Sequence, residues 1–236
     1  MSSIFKFKKF DILQENAAMK VGTDGMLLGS IIDSNGAKNG LDLGAGTGVL
    51  SLMLAQQNDE IRIDAIEKDL ASSKECQFNF MQSIWSDRLT SIQASYFSFS
   101  FDKKYDIIFS NPPFYLEEEK NAKNSNQLSK HMSFNDLKKF ATLVVKNLSP
   151  NGEFWMIAPY SYIELIHDNK LFKPLEISSL NIIHSKGKKL NSRVVIQFSF
   201  TATTHVIHEM TLRNDDNSYS REYINLTRQF HYNNLG

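Results

Sequence analysis

Asn111-Pro112-Pro113-Phe114 is the stretch of this chain whose residue types could do chemistry. It follows Tyr105-Asp106-Ile107-Ile108-Phe109, an apolar run of strand length. An asparagine side-chain oxygen and a proline carbonyl, held close together, can accept both hydrogens of a planar amino group. Such a nitrogen is a poor nucleophile while its lone pair is delocalised into a ring or amide. Two acceptors favour a pyramidal nitrogen with a free lone pair. Proline fixes the backbone, so its carbonyl is aimed before the substrate arrives. Phe114 adds a stacking face for a base. No strong general base is needed, because the amine proton becomes acidic only once the new bond has formed. The tetrad also fits a plain turn after a strand, so its meaning depends on its neighbours.

The second chemical signal is Asp42-Leu43-Gly44-Ala45-Gly46-Thr47-Gly48, between a short apolar strand and an apolar helix. Glycines at 44 and 46 admit positive φ and let a ligand approach the backbone, and the helix start offers free N–H groups. The spacing is not the G-x-G-x-x-G of dinucleotide sites. The next strand ends in Glu67, 21 residues after Gly46, where a carboxylate is placed to accept hydrogen bonds from ribose hydroxyls. Asp42 suits the ammonium of a cofactor that carries an amino-acid moiety instead of a pyrophosphate. Turn and acid together predict a nucleoside-containing cofactor. Asp64 and Asp69 read as surface or cap residues.

These groups must be positioned by alternating elements. Residues 5–12 read as a strand or hairpin, with Thr23 or Asp24 capping a short helix that carries Met26-Leu27-Leu28. Strands are expected at 41–43, 61–66, 89–94, 105–109, 153–158, 177–183 and 194–200, with a further short strand at 206–212. Helices are expected at 49–57, 70–81, 135–148 and 160–168, and Ser149-Pro150-Asn151-Gly152 reads as a turn. The pattern predicts an α/β fold with a doubly wound, mainly parallel, seven-stranded sheet. The last two core strands are too close in sequence for a helical crossover and should be antiparallel neighbours. One domain is expected over 1–236, with 1–38 as an extension over the cofactor site and 39–236 as the catalytic core. The polar segment 117–130 fits a solvated loop or a substrate lid.

Composition narrows the classes. The chain has 236 residues, 42% of them apolar, with 26 basic and 26 acidic side chains. A formal charge of zero argues against indiscriminate nucleic-acid binding but leaves room for a local basic face. The single cysteine, Cys76, reads as a buried thiol within a helix, and no Cys/His cluster has metal-ligand spacing. No leader or membrane span is expected, which gives a cytoplasmic protein, metal-free and monomeric.

The glycine turn and Glu67 resemble the first two motifs of class I S-adenosylmethionine-dependent methyltransferases. That resemblance implies S-adenosylmethionine as cofactor, with Asp42, Gly44, Gly46 and Glu67 in its site. It also implies that the loop Ala94-Ser95-Tyr96-Phe97 contacts the adenine, through Ser95 and Tyr96. Many relatives carry Asp at the position of Ser95. The tetrad resembles the [N/D/S]-P-P-[Y/F/W] motif of enzymes acting on adenine N6, guanine N2 or glutamine N5, which makes Asn111, Pro112, Pro113 and Phe114 the catalytic set.

Release-factor glutamine methyltransferases usually carry a larger N-terminal domain, and DNA adenine methyltransferases a target-recognition domain. Neither has room here. Residues 5–10, 19–29, 190–194 and 219–223 resemble segments of the bacterial family that methylates the adenine 3′ of the anticodon in a valine tRNA. That resemblance covers essentially the whole chain. It implies N6 of adenine 37 as the target, a tRNA anticodon stem-loop as the partner, and Thr23 in a segment that closes over the cofactor.

Charge distribution agrees with RNA. Residues 177–208 contain Lys186, Lys188, Lys189 and Arg193 but no acid, and Lys6, Lys8 and Lys9 form a second cluster. Both are expected to hold phosphates. The alternatives are an amino methyltransferase acting on rRNA or a release factor, a nucleotide-binding RNA module without chemistry and, disfavoured by the glycine spacing, a nicotinamide oxidoreductase.

Overall fold

The computed structural model describes residues 3–113, 132–187, 192–202 and 205–232. Phe114, Lys188, Lys189 and the segment 117–130 lie outside the described residues.

The chain opens with an antiparallel hairpin, β1 (Ile4–Lys6) and β2 (Asp11–Leu13), and then α1 (Thr23–Ile31). The first βαβ units follow as β3 (Asn39–Leu43), α2 (Val49–Gln57), β4 (Arg62–Glu67), α3 (Leu70–Gln82) and β5 (Leu89–Gln93). The second half holds β6 (Tyr105–Ser110), α4 (Phe134–Asn147), β7 (Leu148–Pro159), α5 (Tyr162–Asp168), β8 (Glu176–Lys186), β9 (Arg193–Ser199), β10 (Val206–Arg213) and α6 (Arg221–Thr227).

The main sheet runs β10-β8-β9-β7-β6-β3-β4-β5. All neighbours are parallel except β9, which lies antiparallel between β7 and β8 as expected for the closing pair. The 206–212 strand joins this sheet at its edge, so the sheet has eight strands among the described residues instead of seven. Strand order reverses between β3 and β6. The first half winds outward through β4 and β5, the second through β7, β9, β8 and β10. A crevice therefore opens above the C-terminal ends of β3 and β6, where ligands bind in open α/β sheets.

The central strands are buried on both faces, which is why Ile107-Ile108-Phe109 reads as a continuous apolar run. On one face α4 buries Leu137, Phe140, Ala141 and Val144, at the i, i+3, i+4, i+7 spacing of a helix stripe. Phe140 there joins a packed aromatic group with Phe154, Phe172 and Phe198. On the other face α1, α2 and the hairpin residues Phe7, Phe10 and Ile12 enclose the second core.

Three local readings are corrected. The N-cap of α1 is Gly22, with Thr23 already in the helix. Ser149-Pro150-Asn151-Gly152 does not form a separate turn between α4 and β7. It is absorbed into β7 as an irregularity, where Tyr105 pairs with Leu148 but Ile107 pairs with Glu153. Helix α6 was unanticipated. Asp69 is a cap, accepting from the Ser72 N–H at 2.8 Å. Cys76 is buried, and burial raises its thiol pKa far above the usual range.

Candidate active site at the switch point

The glycine turn sits directly at the end of β3. Gly44, Gly46 and Gly48 all have positive φ (78°, 56° and 82°), a conformation other residues adopt only with strain. Gly48 is also sterically fixed. A Cβ there would lie 2.5 Å from the Phe80 ring and 2.8 Å from Cys76 Sγ. The buried face of α3 thus holds the turn from below. Above it there is space, since a Cβ at Gly46 meets nothing within 4 Å and one at Gly44 meets only the Tyr96 ring edge, at 4.0 Å.

Backbone bonds tie the ends of β3, β4 and β5 together. The Gly44 and Ala45 N–H groups both donate to the Ile66 carbonyl, at 2.9 and 3.1 Å, and Ala94 N–H donates to the Glu67 carbonyl at 3.0 Å. Glu67 accepts from Gly46 N–H at 2.9 Å through one oxygen and from Asp69 N–H at 2.8 Å through the other. Each oxygen keeps a lone pair for a ligand hydroxyl. Tyr96 stands over Gly44, and burial raises its hydroxyl pKa to about 12, with Glu67 and Asp136 adding to the shift. Ser95 is half-buried in the same loop, its carbonyl accepting from the Ser98 and Phe99 N–H groups.

Asp42 lies beneath the glycine turn, at the end of β3. It is fully buried, and one oxygen accepts from the Ser51 hydroxyl at 2.8 Å. Its other oxygen, Oδ1, has no partner. Burial raises its pKa to about 7, opposed by the Ser51 hydroxyl and reinforced by Glu67. An orphaned carboxylate oxygen beneath an open glycine cradle fits a cationic ligand group. These residues therefore suit S-adenosylmethionine, whose ammonium and ribose need an acid and a hydroxyl acceptor.

On β6 the chain reaches the same crevice. Ser110 is buried and its hydroxyl donates to the Leu43 carbonyl at 2.6 Å, locking the end of β6 to the strand that carries the glycine turn. Asn111 is half-buried, and no hydrogen bond occupies its side-chain amide among the described residues. Pro112 is buried, and the Pro113 carbonyl accepts from Met132 N–H at 3.3 Å.

The structure thus brings together Asp42, Gly44, Gly46, Glu67, Ser95, Tyr96, Asn111, Pro112 and Pro113. Thr23 is exposed at the start of α1. The residues before it leave α3 where Ala18 N–H meets Ser72 Oγ, at 3.2 Å, and reach β9 where Asp24 meets Arg193, at 3.1 Å. The segment 19–23 therefore crosses the C-terminal end of the sheet. Lys186 and Arg193 also stand at this end. Lys6, Lys8 and Lys9 do not join them. Lys8 donates to the Arg228 carbonyl at 2.5 Å, and the neighbouring Gln229 carbonyl accepts from Gln56, at the far end of α2.

Three supporting residues were not anticipated. Ser51 was legible as the lone hydroxyl in the apolar helix Val49-Leu50-Ser51-Leu52-Met53. Ser110 and Asn79 carried no local signal. Asn79 is buried in α3 and donates to the Leu13 and Thr47 carbonyls, at 3.0 and 2.9 Å, while accepting from Leu13 N–H at 2.8 Å. It joins the N-terminal extension to the glycine turn.

Sheet order, glycine cradle and Asn-Pro-Pro at one switch point define a class I methyltransferase, and residues 17–165 match the methyltransferase small domain family. Enzymes of this class take their methyl group from S-adenosylmethionine. The fold matches the crystal structure of a predicted O-methyltransferase from Agrobacterium tumefaciens with a TM-score of 0.66, at 13% identity, over 89% of this chain and 98% of that one. The chain belongs to the tRNA1(Val) (adenine(37)-N6)-methyltransferase family. It is 34% identical to the Phocaeicola vulgatus enzyme of that name over 229 residues, 97% of each chain. It is 35% identical to the Aliivibrio fischeri enzyme of the same name over 234 residues, 99% of each.

Proposed function

We propose that this protein transfers the methyl group of S-adenosylmethionine to the exocyclic N6 of adenine 37 in the anticodon loop of a valine tRNA. The observation that carries this reading is the placement of Asn111 and Pro112 directly after β6, whose last residue Ser110 locks it to the strand bearing the glycine cradle. The names of the relatives support the substrate.

When bound, the cofactor supplies an electrophilic methyl on a sulfonium. Asp42 Oδ1 receives its ammonium, Glu67 its ribose hydroxyls, and Ser95 and Tyr96 its adenine. Segment 19–23, with Thr23, closes over it. On the acceptor side the Asn111 side-chain oxygen and the Pro112 carbonyl each accept one hydrogen of the target amino group. That releases the nitrogen lone pair from the ring and aims it at the cradle. Rate enhancement then comes mainly from positioning. After transfer the nitrogen is acidic, and its proton leaves to water along the same two acceptors. Phe114 provides the stacking face. An anticodon-loop adenine is unpaired, so bringing it into the crevice costs less than flipping it from a duplex.

The reading is tested with labelled S-adenosylmethionine and total tRNA from a strain lacking the gene. Label is expected in a valine tRNA as N6-methyladenosine. Label in rRNA or a release factor, with none in tRNA, would refute it.

A further inference from the structure

The strands that wind away from the cofactor end in an ordered series of side chains. From β6 outward, the residues at the C-terminal rim are Asn111 beyond β6, Tyr160 beyond β7, Arg193 at the start of β9, Lys186 at the end of β8 and Arg213 at the end of β10. The pairing fixes this order. Ser110 lies beside Met156, Pro159 beside Arg193, Ile183 beside Arg193, and Arg213 beside Lys186. Neighbouring strands lie about 4.8 Å apart, so the rim from β6 to β10 is about 20 Å long.

Tyr160 is the unusual member. Tyr160 is 47% exposed, whereas the aromatics on β7, Phe154 and Trp155, are buried. Its backbone is pinned, the N–H donating to the Ser192 carbonyl at 3.0 Å. Among the described residues no aromatic ring or cation stacks on it. The cations beyond it are held but not spent. Among the described residues Arg193 uses only Nε, on Asp24. Arg213 lies flat on the Tyr219 ring at 4.1 Å and gives one nitrogen to the Asn217 carbonyl. Lys186 gives one hydrogen to the Asn217 side chain at 3.0 Å. Three acids nearby are already engaged: Asp24 with Arg193, Glu209 with His184 at 3.3 Å, and Asp216 with the Ser218 hydroxyl and N–H.

We infer that this rim is the track for the single-stranded RNA flanking the target adenine. Tyr160 stacks the neighbouring base, and Arg193, Lys186 and Arg213 hold successive phosphates. This rests on the proposed activity and adds a direction to it, from the crevice outward across β7, β9, β8 and β10. Aromatic platforms beside a cationic groove are the usual means of gripping single strands.

The test measures binding of a fluorescent valine-tRNA anticodon stem-loop alongside the dissociation constant of S-adenosylmethionine as a check on the fold. Tyr160→Ala should weaken RNA binding about 10-fold or more, with Tyr160→Phe close to wild type, because stacking needs the ring and not the hydroxyl. Lys186→Ala and Arg213→Ala should each weaken it about 5-fold and lower the slope of log affinity against log salt by about 0.7. Arg62→Ala, a cation at the opposite end of the strands, is the control and should change neither. Cofactor affinity should be unaltered in all of these. Rim variants that bind RNA no worse than the Arg62 control would overturn the inference. Because binding is read separately from methyl transfer, a wild-type protein that grips the stem-loop along this rim but methylates no tRNA would sink the proposed activity and leave the rim standing.

Discussion

The two halves of the crevice are built differently. On the cofactor side, the ends of β3, β4 and β5 are knotted by backbone bonds, Glu67 is engaged through both oxygens, and Asp42 Oδ1 is buried with no partner among the described residues. On the acceptor side, Asn111, Tyr160, Arg193, Lys186 and Arg213 stand half-buried or exposed with donors and acceptors to spare. A small ligand of fixed shape is best met by a site made rigid in advance, with little left to order on binding. A long, flexible, charged partner is met by an open surface whose contacts are individually weak and additive. Ser110 is the joint between the halves, because its one hydrogen bond to Leu43 sets the reach from acceptor to donor.

The sharpest way to break this division is Asn111→Ala. It should cost about 10²–10³ in kcat, as loss of one preorganised polar partner does, with cofactor affinity untouched. Equilibrium binding beside single-turnover rates checks it, and an undiminished rate removes Asn111 from the chemistry. Asp42→Asn should do the reverse, weakening S-adenosylmethionine roughly 30-fold or more by leaving its ammonium without a counter-charge. Because the Asp42 pKa in the free protein is raised to about 7, binding should also weaken as pH falls below that value, about tenfold per unit. Calorimetry from pH 5 to 8 reads this slope, and a flat profile would put the ammonium elsewhere. The stability sign is opposite. An acid whose folded pKa lies above its unfolded one binds more protons when folded, so the cofactor-free protein should lose stability as pH rises from about 4 to about 7. The smallest effect is Gly48→Ala, which combines a left-handed backbone with a clash against Phe80 and Cys76. It should lower stability in urea by about 1–3 kcal/mol, and an unchanged midpoint would show that α3 yields.

What was legible in the chain follows from locality. The glycine turn, Glu67 and the Asn-Pro-Pro step each declare themselves within a few residues, since each is a strand end followed by a turn. The antiparallel closing pair was legible because the connection is too short for a helix. What was hidden depends on distant partners. Arg193 meets Asp24 from 169 positions away, and Asn79 meets Leu13 from 66. Charge was legible but its direction was not: Lys186 and Arg193 stand at one end of the sheet and Lys8 at the other. The turn at 149–152 was misread because the pairings on either side, Leu148 with Tyr105 and Glu153 with Ile107, carry those residues along β6 as an irregularity within one strand.

The most direct measurement is to map the methylated nucleotide in a valine tRNA incubated with the protein and labelled S-adenosylmethionine. A single N6-methyladenosine at position 37, abolished when that adenine is replaced by guanine, is the predicted result. Methylation at another position, or at a nitrogen other than N6, would contradict the account.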